Sequence, residues 1–219
     1  MAARNRSNPL ALAVLICIAE RPMHPYEVAT MLRQRQKHES VRLNYGSLYA
    51  VVASLEKRGL IAPQETRRSG RLPERTVYAL TDAGRIEVHD WLTDLLSTPV
   101  KDYTSFEAAL SFLPALPPED VADLLRERAA RLEFDLAESQ GSRELIEKKH
   151  FPRLLWVEEE FRMVLREAEL AYVRKLAREI ENGTLEGMDW WRKIHAAGGE
   201  PVPSPLPLTS GREQEEPEV

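Results

Sequence analysis

The stretch "NYGSLYAVVASLEKRGLI", residues 44–61, decides the fold. Leu48, Val51, Val52 and Leu55 recur at the i, i+3, i+4, i+7 spacing of a helix that packs on one side, and Gly59 stops it. The opposite side carries Asn44, Tyr45, Ser47, Ala50 and Ser54, with no acidic residue before Glu56. A solvated helix face normally mixes both charge signs, whereas a face that enters a DNA major groove must stay slim and avoid carboxylates. This helix is therefore expected to read a groove.

Working outward, Asn8-Pro9 offers an N-cap with proline in the first helical turn. Leu10, Leu12, Val14, Leu15, Ile16 and Ile18 then leave almost no polar face, so this first helix should be buried, with Cys17 as a small core hydrophobe. "HPYEVATMLRQR" (24–35) reads as a second helix started by His24-Pro25, with Tyr26, Val28, Met31 and Leu32 apolar and Glu27, Arg33 and Arg35 toward water. Downstream, Leu60 to Thr66 and Arg75 to Leu80 read as two strands, and Thr81 or Asp82 caps another helix through Trp91 and Leu96. Helix, helix, helix, hairpin, helix is the winged helix-turn-helix arrangement, in which the third helix reads the groove and the hairpin meets the backbone beside it.

The hairpin tip sets Arg67, Arg68, Arg71 and Arg75 around Gly70 and Pro73. A lone arginine on a tip is ordinarily just solvated. Four against one glutamate, Glu74, next to a slim uncharged helix face, favour phosphate contact, because guanidinium forks match phosphate oxygens. Arg75, at a strand start, has a carboxylate partner as its alternative. Tyr45 and Ser47 are not needed by the core and suit groove or phosphate contacts; Tyr49, at the edge of the core stripe, suits a half-buried ring with its hydroxyl on a phosphate.

Charge is segregated along the 219 residues: the net −5 divides into +4 up to Thr98 and −9 beyond it. A basic front and an acidic remainder fit one part that meets a polyanion and one that does not. The single cysteine excludes an internal disulfide framework and a Cys-rich zinc site, and fits a reducing, cytoplasmic address. The apolar run "LALAVLICIA" (10–19) ends in Glu20-Arg21 without a small-residue cleavage site and is too short for ~30 Å of hydrocarbon, so neither a leader nor a membrane partner is expected. No phosphate loop, nucleophile elbow or His-Glu-x-x-His is present, and the five histidines are scattered, so no catalysis, metal or cofactor is expected. The "EEE" at 158–160 diverges by about 100° per residue on a helix and reads as a solvated arc.

After a linker around Pro99 to Thr104, residues 105–196 read as helical throughout. Val121, Leu124, Leu125, Leu132 and Leu136 line one helix that Gly141-Ser142 is expected to interrupt. Pro152 should open a second, with Leu154, Phe161, Leu165, Ala168, Tyr172, Leu176 and Ile180 on one stripe, and Trp156/Met163/Leu170 and Val157/Val164/Ala171 on two more, up to Gly183. A helix apolar over so much of its circumference buries more than one side, so one side is expected to pack within the subunit and another against a second copy. "EGMDWWRKIH" (186–195) reads as a short closing helix. The expected organisation is a winged-helix domain over 1–98, a helical dimerisation domain over 99–196 and a Pro-rich, acidic, disordered tail over 197–219. Trp156, Phe161, Met163, Val164, Leu165, Leu170, Tyr172 and Leu176 are the expected dimerisation residues.

"NYGSLYAVVASLEKRGLI" followed by "RLPERTVYALTDAGR" closely resembles the PadR-type bacterial transcriptional regulators, over about residues 9–96. The shared pattern is a Gly-(Ser/Thr)-Leu-Tyr helix start, Leu-Glu-x-x-Gly-Leu-Ile, then Arg-x-Tyr-x-Leu-Thr-x-x-Gly. The resemblance implies DNA contacts at Asn44, Tyr45, Ser47 and Tyr49 on the recognition helix and at Arg68, Gly70, Arg71 and Arg75 on or beside the wing. It implies a homodimeric repressor on an inverted-repeat operator of double-stranded DNA, and members of this size include some released by small aromatic or drug-like effectors. Where the family often has a glycine in "M-x-G-Y-E", this chain has Pro25 in Met23-His24-Pro25-Tyr26-Glu27. The competing reading is a ligand-sensing or protein-interaction module that is not primarily a DNA reader, with Trp91, Trp156, Trp190 and Trp191 lining an aromatic pocket.

Overall fold

The computed structural model describes residues 8–37, 40–67 and 75–196, with the side chains of residues 65–67 and 75 excepted. The chain forms two compact units, Met1–Asp102 and Tyr103–Val219. In the first unit, α1 (Pro9–Glu20), α2 (Pro25–Gln34) and α3 (Tyr45–Lys57) precede strands β1 (Ile61–Arg67) and β2 (Arg75–Leu80) and helix α4 (Asp82–Ser97). The second unit holds α5 (Ser105–Leu110), α6 (Pro118–Lys148), α7 (Val157–Glu181) and α8 (Met188–Ala196).

Local chemistry sets the helix ends of the first unit. The Asn8 side chain accepts from the Leu10 N–H at 3.0 Å, with Pro9 supplying a first-turn residue that has no N–H to satisfy. At α2, His24 Nδ1 accepts from the Tyr26 N–H at 3.1 Å and the Glu27 carboxylate accepts from the His24 N–H at 2.8 Å, a reciprocal cap. Glu27 and His24 are thus cap partners, and Arg35 is held by Glu20 rather than simply solvated. Gly59 takes φ +71 beyond the C-cap Arg58, the left-handed conformation that terminates α3 at little steric cost.

Helix α1 runs through the middle of this core, with Leu10, Leu12, Val14, Leu15, Cys17 and Ile18 buried against Met23, Val28, Leu48, Leu55, Ile61 and Trp91. Ile16, expected to be buried, is more than a third exposed, so one edge of α1 reaches water. Burial pushes the Cys17 thiol up to about 11. The antiparallel pair β1–β2 runs from Ile61↔Leu80 to Arg67↔Arg75, with an irregularity between Pro63 and Glu65.

A third element joins this sheet. Met23, fully buried, bridges Tyr78 through two backbone hydrogen bonds of 3.1 Å, so β2 is the central strand. Because both polar backbone groups of Tyr78 turn toward Met23, its β1 partner Pro63 sits at a non-hydrogen-bonded position, where proline's missing N–H removes no ladder bond.

The second unit departs from expectation in two places. Helix α6 continues through Gly141-Ser142 to Lys148, about 46 Å at 1.5 Å per residue. A mid-helix glycine costs only about 1 kcal/mol relative to alanine, which packing along the rest of α6 and the Arg143–Glu147 pair one turn on outweigh. Pro152 does not open α7; it precedes a 3-10 turn (Arg153–Leu155), and α7 starts at Val157. Leu154 is accordingly exposed, as is Leu124, both expected on core stripes.

Pairing of α6 with α7 runs from Arg126–Glu181 through Arg174–Glu133 to Arg166–Ser139, the order of an antiparallel hairpin. Its core is Val121, Leu125, Ala129, Leu132 and Leu136 against Leu170, Val173, Leu176, Ala177 and Ile180. Gly183, at φ +66, turns the chain so that α8 packs back, with Trp191 Nε1 donating to the Leu116 carbonyl at 2.8 Å. The expected tail, 197–219, lies outside the described residues.

Candidate nucleic-acid interface

Helix α3 divides cleanly. Leu48, Val51, Val52 and Leu55 are buried, while Asn44, Tyr45, Ser47, Tyr49, Ala50 and Ser54 are exposed. The buried stripe docks the helix, so the other side stands out as one face. Its first acidic residue, Glu56, accepts from the Tyr78 hydroxyl at 3.2 Å and so ties α3 to β2; burial and this carboxylate raise the Tyr78 hydroxyl above its ordinary pKa.

The expected contact residues differ in how they are held. Asn44 is the N-cap of α3, its Oδ1 accepting from the Gly46 N–H at 2.9 Å, which commits that oxygen to the backbone. The Tyr45 ring stacks on Tyr26 of α2, with centroids 6.4 Å apart and planes 13° apart. The Arg33 guanidinium lies 4.6 Å from the Tyr45 ring centroid and donates to its hydroxyl. Tyr49, about half exposed, meets the His24 ring edge-on. Tyr26 and Arg33 therefore belong to the same surface, although periodicity alone assigns them ordinary amphipathic places on α2. Their positions at i and i+7, two turns apart on one side of α2, are the signal that finds them.

Arg67 and Arg75 pair across the last rung of the hairpin. Arg68, Gly70 and Arg71 lie outside the described residues. The root of the hairpin is fixed by α4: the Thr81 side chain accepts from the Gly84 N–H and donates to the Leu60 and Gly59 carbonyls at 3.0 and 2.7 Å. Arg58, at the end of α3, pairs with the buried Glu87 of α4 at 3.0 Å. Cap and ion pair hold α3, the hairpin root and α4 together.

Of the expected dimerisation residues, Trp156, Met163, Leu170 and Leu176 are buried within the subunit, the last two in the core facing α6. Phe161, Val164, Leu165 and Tyr172 remain exposed on the outer face of α7, with Val157. Of the tryptophans, Trp91 is in the core of the first unit, Trp190 and Trp191 pack in the second, and Trp156 lies under Arg143. A separate cleft in the second unit is lined by Phe106, Leu110, Arg128, Glu169 and Tyr172, with Arg128 over the Phe106 ring at 3.9 Å and donating to Glu169 at 2.7 Å. Among the described residues no helix is long and apolar enough to cross a membrane.

Three helices, a two-stranded wing and an exposed α3 face free of carboxylates up to Leu55 define a winged helix-turn-helix regulator of transcription. The Transcriptional regulator PadR-like family matches residues 14–90 of this chain. The "Negative transcriptional regulator PadR" of Bacillus subtilis (strain 168) is 24% identical over 135 residues, covering 62% of this chain and 73% of the relative. The crystal structure of Bacillus subtilis PadR with operator DNA is similar at 19% identity and TM-score 0.61, covering 79% of this chain and 99% of that one. The structure of the same protein with p-coumaric acid gives 18% identity and TM-score 0.64, over 78% and 98% of the two chains. These likenesses extend the shared fold beyond the winged helix into the helical second unit.

Proposed function

We propose that this protein is a homodimeric repressor whose two α3 helices enter successive major grooves, about 34 Å apart, of an inverted-repeat operator. The observation that carries the reading is the exposed face of α3, free of carboxylates from Asn44 to Leu55, raised on a fully buried stripe beside the arginine-bearing wing. Tyr45, Ser47 and Tyr49 are the contacts on that face, with Asn44 shaping its start; Arg67, Arg68, Gly70, Arg71 and Arg75 form the wing's contact with the backbone. The relative's operator complex supports the same use of the fold. The work is binding rather than catalysis, in the cytoplasm.

The second copy joins through the outer face of α7, where Val157, Phe161, Val164, Leu165 and Tyr172 form an apolar strip left exposed in one chain. A small aromatic effector is part of the reading, supported by the relative's p-coumaric acid complex and by the cleft between Phe106, Arg128 and Tyr172, which offers two rings and a cation. An effector that prefers one arrangement of the second unit changes DNA affinity by the ratio of its affinities for the two states.

Selection of bound duplexes from random oligonucleotides tests the core of this reading, with the Arg68→Ala/Arg71→Ala variant as control. An inverted repeat should be returned. With about four phosphates neutralised per subunit, log K should fall with log[salt] at a slope of roughly −7. No enrichment, or a slope near zero, would overturn the reading and leave the protein-interaction alternative.

A further inference from the structure

Arg33 is held differently from three other arginines of the first unit. Arg21, Arg35 and Arg58 each pair with a carboxylate, of Glu27, Glu20 and Glu87. Among the described residues Arg33 has no carboxylate partner; it is spent on a tyrosine, donating to the Tyr45 hydroxyl and lying over the Tyr45 ring. Tyr26, seven residues earlier on α2, stacks on the same ring. An exposed tyrosine at the first position of a helix has little to fix its rotamer, yet this one is held by a ring, a cation and a hydrogen bond.

The hydrogen bond also sets the direction of a proton. A guanidinium only donates, so the phenol oxygen must accept from Arg33, and its own O–H points elsewhere. Among the described residues no acceptor takes it. We propose that Arg33 is a positioning residue: it fixes the Tyr45 hydroxyl at the start of α3 as an outward donor to one backbone phosphate. This rests on the DNA-reading function proposed above. A phosphate oxygen is the matching acceptor, because a neutral donor backed by a cation makes a charge-assisted bond there without a carboxylate to repel. Arg33 acts through the tyrosine and not by its own phosphate contact, so the two residues form one functional unit.

The test is a double-mutant cycle on the full chain, with Tyr45→Phe, Arg33→Met and the pair, measured by anisotropy titration on the selected operator duplex. Tyr45→Phe removes one oxygen and should weaken binding about tenfold, the scale of a hydrogen bond to a charged acceptor. Arg33→Met should cost a similar factor, the double variant about tenfold in total rather than about a hundredfold, and the salt slope should stay at the wild-type value. Arg33→Lys, which keeps a cationic donor, should recover most of the Arg33→Met loss. Losses that multiply, or a slope that shrinks by about 0.9 per subunit with Arg33→Met, would show Arg33 meeting phosphate directly and overturn the proposal. Wild-type affinity in Tyr45→Phe, a variant too conservative to unfold the domain, would overturn it equally. In both cases the wild type still binds, so the DNA-reading function survives; absence of wild-type binding removes both.

Discussion

Replacing Gly84 with alanine tests how closely α4 is seated against the hairpin root. A Cβ at this position would sit 2.2 Å from the Leu60 carbonyl oxygen and 2.7 Å from Leu80 Cδ1. The Leu60 oxygen has no easy retreat, because it accepts from both the backbone N–H and the hydroxyl of Thr81, at 3.1 and 3.0 Å. To reach ordinary contact the helix start must move by more than about 1 Å, which strains the Thr81 cap. Helix propensity pulls the other way: alanine over glycine is worth up to about 1 kcal/mol, and less in a first turn. Overpacking against a fixed backbone costs about 1–3 kcal/mol and a weakened cap about 1 kcal/mol more, so the net is a loss of roughly 2–3 kcal/mol. In a domain of this size that lowers the melting temperature by about 10–20 °C. Calorimetry of the full chain should show the first unit's transition moving down by that amount. Operator affinity should fall with it, since Leu60 and Gly84 hold the root of the wing. A Gly84→Ala protein that melts at or above the wild-type temperature would refute the argument, because only the propensity gain would then be left.

The same substitution at Gly141 should have the opposite sign: nothing lies within 4 Å of a Cβ there, so Gly141→Ala should stabilise the second unit by about 1 kcal/mol in calorimetry. Cys17, buried and raised to about 11, should not react with a disulfide reagent at pH 8 until denaturant opens the first unit; prompt native-state labelling would show α1 less enclosed than described. Hydrogen bonding from Arg35 holds the Glu20 carboxyl below its ordinary 4.5, so this pair stabilises the fold above pH 4.5 and is lost as pH falls through the depressed value. Glu20→Gln should therefore melt slightly below wild type at pH 7, with the gap closing in acid; an unchanged gap would remove the pair as its cause.

Most of the first unit was legible because its signals are local. The period of Leu48, Val51, Val52 and Leu55, the Asn8 and Thr81 caps and the left-handed Gly59 each act within a few residues of where they stand. The failures are places where a tertiary contact outweighs a weak local preference. Gly141 reads as a break because glycine disfavours helix, but the cost is spread over thirty-one residues that pack elsewhere. Pro152 reads as a helix start, yet the 3-10 turn that carries Trp156 into its buried site delays α7 to Val157. Periodicity showed that α7 is apolar on several sides without showing which side α6 covers, which is why Met163 and Phe161 could not be told apart. At the site, Tyr45 stood out on its own helix, while Arg33 and Tyr26 matter only through a contact between helices distant in sequence.

Tyr78 links three parts of the first unit. Its backbone joins the wing to the residue that leads into α2, and its hydroxyl reaches the end of α3. Wing root and recognition helix are therefore calibrated against each other before any DNA arrives, like the fixed jaws of a gauge. On the proposed reading, a duplex must come to the spacing that these bonds set between α3 and the hairpin root. Operators with a groove of another width should be rejected on shape, even where every contacted base is correct.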